Sequence, residues 1–136
     1  MQLDSTTAAI ITGGASGLGQ ATCAMLRAQG VKVALFDREP RGAEIAARHG
    51  AHFFETDVTS EDAIARSLEQ ARQVQGTERI LVNCAGIVIG KRTISKKRDS
   101  QELTAHDQAS FATVIGVNLI GSFLMGAQCA RAMAQL

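Results

Sequence analysis

Short apolar runs alternate with helical spacings along this chain. Ala8-Ala9-Ile10-Ile11 and Val31-Lys32-Val33-Ala34-Leu35-Phe36 are apolar enough to be buried on both faces, as strands of a parallel sheet are. Between them, Ala21, Cys23, Met25 and Leu26 mark an apolar helix that Gly30 is placed to cap at its C-terminus. The pattern predicts strands over 7–12, 31–36, 51–56 and 79–82, and helices over 17–29, 41–49 and 61–74. A loop is expected over 90–107, then one long helix from 107 to about 135, kinked near 116–121. Strands and helices in strict alternation predict an α/β fold, a right-handed doubly wound parallel sheet of strand order 3-2-1-4.

The last helix carries no charge between Asp107 and Arg131, which by length alone would fit a membrane span. Gln108, Asn118 and Gln128, with Gly116, Gly121 and Gly126, argue against that, and no membrane partner is expected. A helix apolar nearly all round is expected to be buried on two sides.

Composition narrows the classes. With 136 residues, 46% of them apolar, and a net charge of +1, the chain reads as one soluble globular domain or a piece of one, without a general nucleic-acid signal. Cys23, Cys84 and Cys129 lie in apolar or Gly/Ala surroundings without C-x-x-C spacing, and His49, His52 and His106 form no ligand pattern with them, so no metal is expected. Reduced, buried thiols and an N-terminus without a signal or transit pattern point to the cytoplasm. The absence of any tyrosine decides more: a mechanism that needs a phenol cannot run on these residues alone.

The candidate chemistry starts at Thr12-Gly13-Gly14-Ala15-Ser16-Gly17-Leu18-Gly19, a strand end, a glycine turn and the first turn of a helix. A helix beginning there presents free N–H groups and the positive end of its dipole to an anion, with little side-chain obstruction. The dinucleotide fingerprint G-x-G-x-x-G would need a small residue at Thr22 after Gly17 and Gly19, and threonine fits poorly. A second cue is Asp37, about twenty residues on at the end of the second strand, where a carboxylate accepts hydrogen bonds from ribose hydroxyls and repels a 2′-phosphate. That predicts NAD over NADP, although Arg38 next to it is able to pair with a 2′-phosphate and Asp37 also suits a simple turn before Pro40.

The spacing Thr12-Gly13-x-x-x-Gly17-x-Gly19 resembles the T-G-x-x-x-G-x-G turn of the short-chain dehydrogenases/reductases. That resemblance implies a Rossmann-type sheet and a pyrophosphate held by Gly13, Ser16, Gly17, Leu18 and Gly19, with Ser16 where NADP-preferring members often carry a basic residue. Asp57-Val58 resembles the pair that borders the adenine, and Asp57 is equally suited to start a turn or, with Thr59 or Ser60, to cap the following helix. Asn83-Cys84-Ala85-Gly86 resembles the family's Asn-Asn-Ala-Gly, which implies that Ala85 and Gly86 pass close to the adenosine ribose while Asn83 braces the sheet. Val117-Asn118-Leu119 resembles the helix segment with the catalytic asparagine, whose main chain holds a relay water; a polar residue satisfied by neighbouring backbone fits Asn118 as well. Lys91, Arg92, Lys96, Lys97 and Arg98 read either as a solvated loop or as an entrance that meets the phosphates of coenzyme A. This loop, with 82–87, is most similar to type-2 3-hydroxyacyl-CoA dehydrogenases.

What the resemblance implies is therefore the NAD-binding part of an oxidoreductase that converts a secondary alcohol to a ketone, with a 3-hydroxyacyl-CoA as the candidate substrate and a homo-oligomer formed through the helix over 107–135. Strands one to four of the family fold are accounted for. Members continue for about another hundred residues, with a serine and a Tyr-x-x-x-Lys pair that have no counterpart here, so the chain alone is expected to be inactive and part of a longer enzyme. The alternatives are a non-catalytic NAD(H)-binding module and an interaction protein that keeps only the scaffold.

Overall fold

A computed structural model describes residues 2–100 and 102–136. Strands β1 (Ala8–Thr12), β2 (Lys32–Asp37), β3 (His52–Glu55) and β4 (Ile80–Asn83) form one parallel sheet of order β3-β2-β1-β4, as expected. Helices α1 (Gly17–Ala28), α2 (Gly42–His49) and α3 (Glu61–Gln75) make the crossovers. β1 is central, with Ile10 opposite Ala34 on one side and Leu81 on the other.

Side-chain alternation along β1 and β2 divides the core between the two faces of the sheet. Ala9, Ile11, Val33 and Leu35 pack with Cys23 and Leu26 of α1 and Ile45 of α2. Ile10, Ala34 and Phe36 pack with Ile64 and Leu68 of α3 and with Met125 and Cys129 further along the chain. Because both faces are covered, all five residues of β1 are buried, which is why its sequence reads as a continuous apolar run.

Two expectations are corrected. The span over 90–107 contains an antiparallel hairpin, β5 (Ile94–Lys96) and β6 (Leu103–Ala105), in the register Ile94–Ala105, Ser95–Thr104 and Lys96–Leu103. Its strands are three residues each and largely exposed, so no apolar alternation announces them. The final helix runs as α4 (Gln108–Ile115), a π-helical turn over Gly116–Gly121, and α5 (Ser122–Met133), which gives the expected kink a definite form. It is covered on one side only. None of α4 is buried, and Phe111, Leu119 and Phe123 are each more than 60% exposed. The 26-residue stretch Gln108–Met133 is long and apolar enough to cross a membrane by length and composition. Its Met125 and Cys129 nevertheless pack into the core of the sheet.

One buried ion pair ties α3 to the start of β4. Arg72 Nε donates to Glu78 Oε2 at 2.9 Å and a second guanidinium N–H donates to Oε1 at 2.6 Å, while the Glu78 side chain is fully buried. Burial pushes the Glu78 carboxyl up, but the Arg72 hydrogen bonds, a backbone N–H and the neighbouring Cys129 thiol outweigh it and hold the group below the usual glutamate range. Burial, and then the adjacent Glu78 charge, pushes the Cys129 thiol far up, so it remains a neutral core group.

Removing one partner of such a pair strands a buried charge. Arg72→Ala is expected to destabilise the chain by about 3 kcal/mol in urea unfolding at pH 7. Because the folded carboxyl is depressed, its contribution is full above the unfolded glutamate pKa and is lost as pH falls through the folded value. Stability of Arg72→Ala should therefore fall less steeply with acid than that of the parent chain.

Candidate functional site

The cleft forms where β1 ends and α1 begins. Gly13 has a φ of +66° and Gly17 a φ of +49°, conformations that glycine adopts without strain. A Cβ on Gly19 would stand 2.2 Å from the Gly13 carbonyl oxygen, and one on Gly13 would stand 2.6 Å from the backbone of Cys84 and Ala85. Only bare backbone lets the helix start and the β4 end close on the turn. Ser16 caps α1 without a side-chain hydrogen bond, and no acidic residue occupies the first turn, so no side chain competes for the positive end of this helix.

Thr12, which the sequence presented only as the first letter of the turn, holds the turn to the end of β4. Its buried hydroxyl accepts from Cys84 N–H at 3.2 Å and Ala85 N–H at 3.1 Å, and donates to Asn83 Oδ1 at 3.4 Å. The side chain of Asn83 thereby faces away from the cleft, and its Nδ2 donates to Ser122 O at 3.4 Å, joining the sheet to α5.

The resulting cleft encloses about 280 Å³. Of the residues expected to hold a cofactor, Gly13, Ser16, Gly17, Leu18, Asp37, Asp57, Val58, Ala85 and Gly86 line it. Gly19 and Asn83 stand behind the wall, the first allowing the turn to close and the second bracing it. Phe36, Thr56, Cys84, Ile87 and Val117 also line the cleft and were given no cofactor-binding role from the sequence. All five are chain neighbours of residues that were assigned a role, so adjacency along the chain was the available signal.

The carboxylates are set by local backbone. Asp37 Oδ2 accepts from Ala15 N–H at 2.9 Å, and Oδ1 accepts from Glu39 N–H at 3.0 Å. Asp57 Oδ1 accepts from the Thr59 hydroxyl at 2.7 Å and the Thr59 N–H at 2.8 Å. Those bonds, with the charge of Arg38 adding to them, hold the Asp57 carboxyl below its ordinary value. The α3 cap falls to Ser60, whose Oγ accepts from Ala63 N–H at 3.3 Å. Asp57 thus makes the turn and faces the cleft at once.

The π-helical turn reaches both walls. Gly121 packs so closely on Val58 that a Cβ would lie 2.8 Å from its Cγ2. Asn118 turns its side chain to the backbone of Ile87, accepting its N–H at 2.9 Å and donating to its carbonyl at 2.9 Å. The Asn118 carbonyl accepts the Ser122 hydroxyl at 2.8 Å. Its side chain is thereby bound to neighbouring backbone and does not line the cleft, whereas Val117 does.

The basic segment lies apart from the cleft, on the hairpin. Lys91 pairs with Asp107, and Lys97 with Glu102 at 2.7 Å, while Arg92, Lys96 and Arg98 have no ion pair among the described residues. Asp107 also caps α4, accepting Ser110 N–H at 2.7 Å; the Lys91 and Ser110 hydrogen bonds draw its carboxyl well below the usual range. No group of three or more metal-binding side chains occurs among the described residues.

The chain has counterparts in sequence and in fold. The family model described as short chain dehydrogenase matches residues 7–135. The chain belongs to the short-chain dehydrogenase family. It is 41% identical over 118 residues to 3-hydroxyacyl-CoA dehydrogenase type-2 of Bos taurus, covering 85% of this chain and 44% of that protein. It is 32% identical over 129 residues to (+)-borneol dehydrogenase 1 of Salvia officinalis, covering 93% of this chain and 46% of that protein. An oxidoreductase structure from Haemophilus influenza with bound NAD shares the fold, with a TM-score of 0.86 and 23% identity over 97% of this chain and 51% of that one. The chain spans about half the length of these short-chain dehydrogenase relatives.

Asn118→Ala removes both bonds to Ile87. The Ile87 amide is expected to exchange about five- to thirtyfold faster, as the loss of 1–2 kcal/mol of local protection requires. Amide exchange followed by mass spectrometry checks this, and unchanged exchange would show that Asn118 does not hold this wall.

Proposed function

We propose that this chain is the cofactor-binding half of an NAD-dependent oxidoreductase that oxidises a secondary alcohol to a ketone. The observation that carries the reading is the meeting, in one cleft, of a glycine-rich turn at a helix N-terminus with the Asp37 carboxylate at the end of the neighbouring strand. Gly13, Ser16, Gly17 and Leu18 would receive the pyrophosphate on backbone N–H groups. Asp37 retains lone pairs on both oxygens for ribose hydroxyls, and its charge opposes a 2′-phosphate. Asp57 and Val58 would meet the amino group and the face of the adenine, with Ala85 and Gly86 alongside the ribose.

When bound, the nicotinamide supplies the hydride acceptor for alcohol oxidation. This chain's own part is to bind and orient that cofactor. The proton-accepting residue belongs to a Tyr-x-x-x-Lys pair, and these 136 residues contain no tyrosine. The catalytic half and the Asn118 relay role are assigned to the longer parent enzyme. A 3-hydroxyacyl-CoA is the proposed substrate, supported by the 41% identity to a dehydrogenase of that name. The exposed apolar side of α4 and α5 is proposed as the subunit contact of a homo-oligomer.

Calorimetric titration of the chain with NAD and NADP tests the cofactor assignment. NAD is expected to bind at least tenfold more tightly, about 1.4 kcal/mol, and no reduced cofactor should appear when 3-hydroxybutyryl-CoA is added. Equal or tighter NADP binding would overturn the NAD assignment. Failure of a folded chain to bind either would overturn the nucleotide reading altogether.

A further inference from the structure

The Asp37 carboxylate has two backbone partners on separate segments. Oδ2 accepts the N–H of Ala15, in the middle of the glycine turn, and Oδ1 accepts the N–H of Glu39, just beyond β2. Ala15 is 2% exposed, so no abundant water stands ready to replace Asp37 as the acceptor for that amide. The strand end makes a second bond to the turn, from Gly13 N–H to Phe36 O at 2.8 Å, which fixes the first glycine but leaves Ala15 to the carboxylate. Ala15 is followed by Ser16, which caps α1 without any side-chain bond of its own. The geometry of the helix start is therefore held from β2 rather than from within the turn.

We propose that Asp37 is a positioning residue for the glycine turn as well as a ribose acceptor, so that one carboxylate couples the ribose end of the cleft to its phosphate end. The proposal rests on the NAD reading for the ligand but not for the hydrogen bond, which is present without one. Only a carboxylate does this fully. An asparagine presents one acceptor oxygen and one donor nitrogen, and so cannot accept from both Ala15 and Glu39. A serine is too short to span the same two partners. Specificity follows from the same bond. Removing the charge at position 37 relieves repulsion of a 2′-phosphate, but it also frees Ala15 and loosens the turn that must hold the pyrophosphate. Cofactor preference in this chain is thus not an isolated property of the strand end.

The test separates the turn from the ribose. ADP and 2′,3′-dideoxyadenosine diphosphate both carry adenine and pyrophosphate, and the second has no ribose hydroxyl for Asp37 to hold. Each is titrated calorimetrically into the full chain and into Asp37→Ala and Asp37→Asn, and amide exchange over 13–18 is followed without ligand. The expected result is at least fivefold weaker binding of the dideoxy nucleotide by Asp37→Ala, with at least fivefold faster exchange in the turn and unchanged exchange in α3. Asp37→Asn should lie between, and it supplies the same readouts if Asp37→Ala does not fold. A loss confined to ADP, with exchange in the turn unchanged, would overturn the proposal and leave Asp37 a ribose ligand only. If the parent chain binds neither nucleotide, the NAD reading fails, and the exchange comparison alone then decides whether Asp37 positions the turn.

Discussion

The cleft depends on how closely the start of α1 can approach the end of β1. A methyl group on Gly19 would stand 2.2 Å from the carbonyl oxygen of Gly13, a separation no side chain can keep. That closeness aims the helix N-terminus at the space above the sheet, and it places Gly13 against the backbone of Cys84 and Ala85 at the tip of β4. Thr12 completes the arrangement, since its single hydroxyl receives two N–H groups from that tip and gives one hydrogen to Asn83. The position of the cleft is a consequence of strand order: β1 has β2 on one side and β4 on the other, and both contribute their C-terminal ends to it.

The π-helical turn gives the long apolar helix a part in the same site. A regular α-helix would present neighbouring residues at fixed 100° steps, whereas the wider turn over Gly116–Gly121 changes the phase between α4 and α5. Within this one turn, Val117 lines the cleft, Asn118 holds the Ile87 backbone and Gly121 lies against Val58. The two walls, one following β3 and the other following β4, are consequently tied to the same six residues. A helix that lies on the sheet for burial also fixes the width of the cleft.

Legibility in the sequence followed the physical source of each feature. The two central strands were readable because burial on both faces leaves near-continuous apolar runs, and β1 shows this in all five of its residues and β2 in four of its six. The cleft was readable at Gly13, Gly17 and Asp37 because special backbone and strand-end charge are confined to single positions. Thr12 was not read as a structural centre, since a threonine hydroxyl acquires its partners only when β4, some seventy residues away, comes alongside it. The hairpin β5–β6 was missed because its short exposed strands bury too little for alternation to appear. Expecting the last helix to be covered on both sides followed from its composition, yet in this chain the sheet reaches only the side of Met125 and Cys129.

On the proposed NAD reading, charge within the cleft works against a 2′-phosphate rather than for the pyrophosphate. Asp37 and Asp57 both line it, and Arg38 is the one cationic side chain among its described lining residues. The Arg38 charge lowers the Asp57 carboxyl, so part of its field is already offset by that neighbour. A pyrophosphate on the glycine turn does not need Arg38, because backbone N–H groups and the helix dipole supply the favourable potential at that end. A 2′-phosphate would instead approach Asp37, whose position is fixed by two backbone N–H groups and which therefore cannot swing aside without releasing Ala15. The guanidinium at position 38 thus sits beside two carboxylates, and on the proposed reading discrimination at the ribose would rest with the carboxylate that is held in place rather than with the cation next to it.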